Sequence, residues 1–240
     1  MSKWIDCIDL GMQEYKIAWD FQEKTHATVL ERRNSKLFSE YFGSLIFCEH
    51  PHVYTLGKSG QTNNLLIDEN FLAKINATYY RSNRGGDITY HGPGQIVGYP
   101  ILDLEKMKLG VKGYIQCIEE AIIMTLSDLD IQSTRLKGAT GVWLNADMPD
   151  VRKICAIGVR VSKAVTMHGF ALNVNTDLNY FSYINPCGFQ DKGITSIQCE
   201  RGKEIDLNEI KIKLKKNFRN IFSFEIRTNK SQPDSEIIRK

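Results

Sequence analysis

Two side chains in this sequence are suited to covalent chemistry: a cysteine on a turn and a lysine beside an apolar run. Cys187 sits in Asn185-Pro186-Cys187-Gly188-Phe189, and Lys153 lies 34 residues earlier, opening Lys153-Ile154-Cys155-Ala156-Ile157-Gly158. Proline and glycine belong to turns rather than packed strands, so the thiol between them is expected to be exposed and positioned. The plainer alternative is a sixth core cysteine. Burial among Ile154 to Gly158 would penalise the ammonium of Lys153 and favour the neutral amine that a general base needs. Its plainer alternative is a solvated strand lysine. A thiol and a neutral amine together can run acyl transfer through a thioester.

A glycine-rich stretch offers a place for a substrate. Arg84-Gly85-Gly86-Asp87-Ile88-Thr89-Tyr90-His91-Gly92-Pro93-Gly94-Gln95 combines four glycines with the donors Arg84, Thr89, Tyr90 and His91. Glycine lets backbone approach a ligand closely and adopt positive φ. A glycine-rich hairpin without a ligand fits the same composition. His168, in Met167-His168-Gly169-Phe170-Ala171, is either a pocket residue or a core histidine. Cys48-x-His50-x-His52 has the look of a metal cluster, but Pro51 breaks the strand geometry and no fourth ligand is near, so strand-end packing is the stronger reading. Cys155 is expected to share a strand face with Lys153 as a small buried side chain.

The elements that must carry these residues follow from periodicity. A helix is expected over about Met12 to Leu37, and strands over Ser44–Glu49, Val53–Leu56 and Thr78–Arg81. Ser59 to Asn64 is a polar loop and a candidate mobile lid. Gln95–Leu102 reads as a central strand. Tyr114, Ile118, Ile122, Leu126 and Leu129 recur at helical spacing, which predicts a helix over about Lys112 to Leu129. Gly141–Leu144, Ile154–Val161 and Thr166–Val174 read as an antiparallel meander. Asp206-Leu207-Asn208-Glu209 has capping-box spacing and opens a last helix to about Phe222. Strands and helices mix without strict alternation, which points to an α+β fold. The chain reads as one domain over residues 1–228, with 229–240 a flexible tail.

Composition narrows the function classes. Of 240 residues, 42% are hydrophobic and 25% charged, which suits a globular protein able to bury a sizeable core. No run approaches the ~18 apolar residues of a membrane span, and Asp6 and Asp9 interrupt any signal-peptide core. The expectation is a cytoplasmic protein with no membrane partner. A net charge of +3 is too small to argue for nucleic acid. Cys7, Cys48, Cys117, Cys155 and Cys199 lie in apolar runs and are expected to be free, and no pair has C-x-x-C spacing. Lys211, Lys213, Lys215, Lys216 and Arg219 stud the last helix, either as a solvated face or as a docking face for an acidic partner.

Four separated motifs carry a family resemblance. Arg84-Gly85-Gly86-x-x-Thr89-Tyr90-His91-Gly92-Pro93-Gly94-Gln95-x-x-x-Tyr99, Lys153-Ile154-Cys155-Ala156-Ile157-Gly158, His168-Gly169-Phe170-Ala171-Leu172-Asn173 and Asn185-Pro186-Cys187-Gly188 resemble, in order and spacing, the signature of the octanoyltransferases of lipoate biosynthesis. The resemblance covers roughly His50 to Ser196. It implies a mixed sheet flanked by helices, as in the catalytic domain of biotin and lipoate protein ligases. It implies that an octanoyl or lipoyl group passes from the thioester of acyl carrier protein to Cys187. The group then passes to a lysine amine on a lipoyl domain, such as those of 2-oxoacid dehydrogenase E2 subunits and the glycine cleavage H protein. Lys153 would be the base. Arg84, Gly85, Gly86, Asp87, Ile88, Thr89, Tyr90, His91, Ala156, Ile157, Gly158, Gly169, Phe170 and Ala171 would bind substrate. No cofactor or metal is implied. The alternatives are an ATP-dependent ligase of lipoate or biotin type and a non-catalytic binder of acylated carrier protein.

Overall fold

In the computed structural model, which describes residues 3–185 and 192–228, the run Gln95–Leu102 is a strand buried along its whole length. Its side chains alternate between two cores. Ile96 and Leu102 face one, and Val97, Tyr99 and Ile101 face the other. A strand covered on both faces reads as a continuous apolar run, which is why the segment is so apolar.

The strands are β1 (Trp4–Met12), β2 (Tyr41–Glu49), β3 (Val53–Leu56), β4 (Thr78–Arg81), β5 (Ile88–His91), β6 (Gln95–Leu102), β7 (Thr134–Leu136), β8 (Ala139–Leu144), β9 (Arg152–Ser162), β10 (Val165–Asn173), β11 (Gly193–Ile194) and β12 (Glu225–Thr228). The α-helices are α1 (Tyr15–Arg32), α2 (Glu69–Lys74), α3 (Leu104–Met107), α4 (Val111–Ser127), α5 (Ile197–Arg201) and α6 (Leu207–Phe222). The main sheet runs β12-β1-β2-β6-β10-β9-β8-β7, with β11 added beside β9. β1 pairs parallel with β2 and β12, while β2 through β8 pair antiparallel, so the sheet is mixed. A small sheet, β4-β3-β5, stands beside it.

Helices cover both faces of the main sheet. Tyr114, Ile118, Ile122 and Leu126 of α4 and Ile210, Leu214, Phe218 and Phe222 of α6 bury against one face. Ala18 and Val29 of α1 close the other. Asp206 caps α6, its carboxylate accepting from the Asn208 N–H. A third cluster, built on Tyr54, Leu56, Ile88, Tyr90 and Ile184, holds the small sheet.

The antiparallel meander expected from residues 141 to 174 is β8-β9-β10. The helix expected from Met12 starts later, at Tyr15, because the chain up to Met12 is β1 and Gly11 turns with φ +62°. β9 carries a bulge: Val142 pairs Cys155, yet Trp143 pairs Lys153. Strict alternation is lost there. Ile154 and Cys155 are both fully buried in the same core, so the expected sharing of one face by Lys153 and Cys155 does not follow from strand geometry.

The last helix spends most of its basic charge at home. Lys211 is buried and pairs with Asp9 at 2.9 Å, Arg219 pairs with Glu225 at 3.1 Å, and Lys213 and Lys216 lie 3.6 and 3.7 Å from Glu209 and Asp128. Among the described residues no helix is long and apolar enough to cross a membrane. The tail expected after Asn229 lies outside the described residues.

Candidate active site

The loop that joins β4 to β5 is built around Arg84. Its side chain is buried, and its guanidinium donates to the carbonyl of Thr55 at 2.5 Å, to that of Asp87 at 2.7 Å and to that of Gly85 at 3.0 Å. These bonds fold the loop onto β3. Asp87 completes the turn by accepting from the Ile88 N–H at 2.6 Å and from the Asn64 amide at 2.8 Å. Gly86 holds φ +85°, a conformation that a side chain disfavours. The Gly85 N–H donates to Val159 of β9 at 2.9 Å, and a Cβ at Gly158 would stand 2.9 Å from the Gly85 carbonyl. The glycine-rich loop and the β9 motif therefore meet backbone to backbone.

That junction opens into a cavity of about 520 Å³, within the range of small-ligand sites. Arg84, Gly85, Gly86, Asp87, Ile88, Thr89, His91, Lys153, Ala156, Ile157, Gly158, Gly169, Phe170 and Ala171 all line it. So does His168. Tyr90 does not: its ring is fully buried against Tyr54, Tyr180 and Phe181, and its hydroxyl bonds His52 at 2.7 Å. Gln95, Tyr99 and Asn173, quoted as motif positions but given no role, also line it, and other lining residues escaped the sequence reading, among them Tyr15, Ile115, Thr140, Phe181, Ile184 and Ile194. Ile115 had a signal, since it is apolar yet lies off the Tyr114–Ile118–Ile122 stripe. Tyr15 had none.

Lys153 is half-buried on β9, and its Nζ lies 4.5 Å from the centre of the Trp143 ring. Trp143 is held in turn by its indole N–H, which donates to the Ala139 carbonyl at 3.1 Å. An ammonium is attracted to the negative face of an indole ring. On the other edge of β9, β11 pairs in parallel with Arg152 and Lys153.

Cys187 lies outside the described residues, but its two flanks do not. Before it, the Asn185 N–H donates to the Asn64 carbonyl at 2.8 Å, and Ile184 bridges Leu65. The polar loop read as a candidate lid is thus bonded to Asp87 and to Asn185. After it, β11 docks on β9. Ile184 and Ile194 both line the cavity.

The other thiols differ in environment. Burial pushes Cys155 and Cys48 well above the ordinary thiol range, so the thiolate that attacks a carbonyl is scarce at both. Cys7 is pushed up to about 11, again by burial. Cys199 is exposed, against the expectation of an apolar setting. Cys48 and His50 form a core contact at 3.4 Å, and His50 also bonds the Tyr99 hydroxyl at 2.8 Å and the Gln13 carbonyl at 2.6 Å.

Two buried histidines, His91 and His168, line the cavity, and a third, His50, packs against His91 and Tyr99. Burial lowers the pKa of His50 to about 4 and that of His168 to about 3, and it pushes His91 well below the ordinary imidazole value. All three are neutral near pH 7. His168 sits in β10 at φ +57°, an uncommon conformation for a non-glycine residue, secured by the Gln22 side chain on its N–H at 2.9 Å and by Asn83 on its ring at 2.6 Å.

Comparison with known proteins follows the same lines. Residues 14–219 match the family described as the lipoyl protein ligase A/B catalytic domain. The chain is similar to an octanoyltransferase of Christiangramia forsetii, with 52% identity over 235 residues, 95% of this chain and 99% of the relative. It is 56% identical to an octanoyltransferase of Bacteroides fragilis over 207 residues, 86% of this chain and 92% of the relative. In fold it is similar to a lipoate-protein ligase A bound with ATP, with a TM-score of 0.73 at 15% identity, covering 98% of this chain and 92% of that one. A bipartite lipoate protein ligase of Thermoplasma acidophilum gives 0.70 at 14% identity, covering 98% and 89%.

Proposed function

The chain belongs to the lipoyl protein ligase A/B catalytic-domain family and is an acyltransferase of octanoyltransferase type, and on that premise we propose that it moves octanoyl through a covalent enzyme intermediate on Cys187. The donor is the thioester of an acyl carrier protein, and the acceptor is a lysine amine on a lipoyl domain. One observation carries the reading: Lys153 and both described flanks of the Cys187 segment, Ile184 and Ile194, line one cavity.

The steps follow from the groups present. The Lys153 amine takes the thiol proton of Cys187, and the thiolate attacks the thioester carbonyl. The bond from carbonyl carbon to carrier sulfur breaks, and the leaving thiolate takes the proton back from Lys153. The acceptor amine then attacks the acyl-enzyme. Lys153 removes its proton, the bond to the Cys187 sulfur breaks, and the cysteine is reprotonated. In each half the transient ammonium lies over the Trp143 ring, whose face favours it. Thioester to thioester is nearly isoenergetic and thioester to amide is downhill, so no nucleotide is consumed. The apolar lining from Val97, Ile115, Ile157, Phe170 and Ala171 suits a medium acyl chain.

The ATP-dependent ligase is separated by one assay. Purified protein should transfer octanoyl from carrier protein to a lipoyl domain without ATP or Mg²⁺, and should leave free octanoate untouched when both are added. Acceptor acylation seen only with free acid plus ATP would replace the transferase reading with the ligase.

A further inference from the structure

A buried chain of side-chain amides runs along the cavity wall and ends beside Lys153. His91 Nδ1 meets Gln95 Oε1 at 2.8 Å, Gln95 Nε2 donates to Asn173 Oδ1 at 2.9 Å, and Asn173 Nδ2 donates to the Thr195 carbonyl at 3.0 Å. The Thr195 N–H then donates to the Lys153 carbonyl at 2.9 Å. Gln95, Asn173 and Thr195 are each at most 4% exposed.

The order of atoms leaves little freedom. Gln95 Nε2 also reaches the Tyr90 carbonyl at 3.2 Å, so its amide nitrogen faces two acceptors. Its oxygen must therefore accept, and His91 Nδ1 must donate. Asn173 is oriented the same way: its oxygen takes the Gln95 N–H, and its nitrogen serves a carbonyl. Each amide fixes the next.

The position of Asn173 in the sheet shows what the chain does. β10 runs beside β9 as far as the pair Leu172 and Cys155. Beyond that point β11 becomes the neighbour of β9, with Ile194 opposite Lys153. Asn173 is the last residue of β10, and Thr195 follows the last residue of β11. The Asn173 side chain thus splices two strand ends where the backbone ladder changes partner. β11 has only two residues, and a strand that short depends on such outside bonds to stay docked. Thr195 adds a second tie, its hydroxyl donating to Glu200, which also receives Arg152 through two bonds of 2.7 and 2.8 Å.

We infer that Asn173, oriented by Gln95, is a positioning residue that holds β11 against β9 and thereby sets where the Lys153 amine stands in the cavity. The inference rests on the proposed base role of Lys153. Breaking the splice frees the neighbour of Lys153 on one side and leaves Trp143 on the other. A misplaced base slows the chemical step and leaves substrate binding intact.

The test uses the full chain with octanoyl carrier protein and a lipoyl domain. Asn173→Asp keeps the acceptor for Gln95 and loses the donor to Thr195, and Asn173→Ser is a smaller change should the carboxylate prevent folding. Either variant should lower kcat about ten- to hundredfold and leave KM for the donor within about twofold. Amide exchange at Gly193 and Thr195 should quicken. Gln95→Ala and Asn173→Ala should be strongly non-additive in kcat, because the two act as one unit. Unchanged kcat per folded molecule would overturn the inference and leave Asn173 as a merely structural residue. A raised KM at normal kcat would overturn it too, by making Asn173 a substrate contact. Near-normal turnover in Lys153→Arg refutes the base role itself, whereas an inactive Lys153→Arg beside a normal Asn173→Asp refutes only this inference.

Discussion

Lowering the pH from 8 to 5 should destabilise this fold by about 4 kcal/mol through two histidines alone. His50 and His168 have native pKa values of about 4 and about 3, both lowered first by burial. The unfolded chain returns each to about 6.5. The sign follows from proton counts: between pH 6.5 and the native values the unfolded state binds more protons, so stability rises with pH across that window and is lost as pH falls. At pH 5 an unfolded imidazole is almost fully protonated and its native counterpart is almost fully neutral. The difference is about 2 kcal/mol for each ring. His91 acts in the same direction, because burial lowers it as well. Asp6 opposes them, since burial raises its pKa and acid relieves that cost. Against a typical stability of about 5–15 kcal/mol the loss is large. For a chain of this size it corresponds to a fall in Tm of about 8–16 °C. Calorimetry at pH 8 and pH 5 and matched ionic strength measures it. A Tm constant within about 2 °C, or an unaltered pH slope in His50→Gln and His168→Gln, would refute neutral burial of these rings.

Two further outcomes follow from the site. Lys153→Arg replaces the amine with a guanidinium that stays protonated, so transfer measured by acceptor mass should fall about 10²-fold or more; near-normal turnover would remove the base. Gly158→Ala would put a Cβ 2.9 Å from the Gly85 carbonyl and 3.3 Å from the Arg84 side chain. It should cost about 1–3 kcal/mol in denaturant unfolding and raise KM for the donor, and a neutral variant would mean that the two motifs do not meet as described.

How much of this was legible in the sequence differs from one residue to the next. β6, α4 and α6 were readable because an apolar run, a 3.6-residue stripe and a capping aspartate are local signals. β1 was not: Asp6, Asp9 and Gly11 interrupt its pattern, and it is a strand because β2 and β12 flank it. Gly85 and Gly86 stood out for close backbone approach and Gly158 and Gly169 through the family resemblance, and all four line the cavity. Tyr15, Thr140 and Ile184 reach the cavity from elements brought together only by the topology. Arg84 and Tyr90 make bonds within the fold that the sequence does not reveal. A side chain capable of donating to a substrate looks the same in sequence as one that donates to its own loop, and the Thr55, Gly85 and Asp87 carbonyls on Arg84 and the His52 ring on Tyr90 are partners supplied only by the fold. The bulge at Ile154 likewise has no mark in the sequence, so the relation of Cys155 to Lys153 was not available from alternation.

Trapping of the acyl-enzyme tests the central claim most directly. Incubation with octanoyl carrier protein and no acceptor, followed by intact-mass measurement, should add one octanoyl group to the chain. Peptide mapping should place it on Cys187, and a lipoyl domain added afterwards should discharge it. Cys155→Ala should retain the adduct, because that thiol is fully buried and shifted away from the thiolate. Cys187→Ala should abolish both the adduct and the transfer. An octanoyl adduct that persists in Cys187→Ala, or transfer that continues without it, would contradict the account.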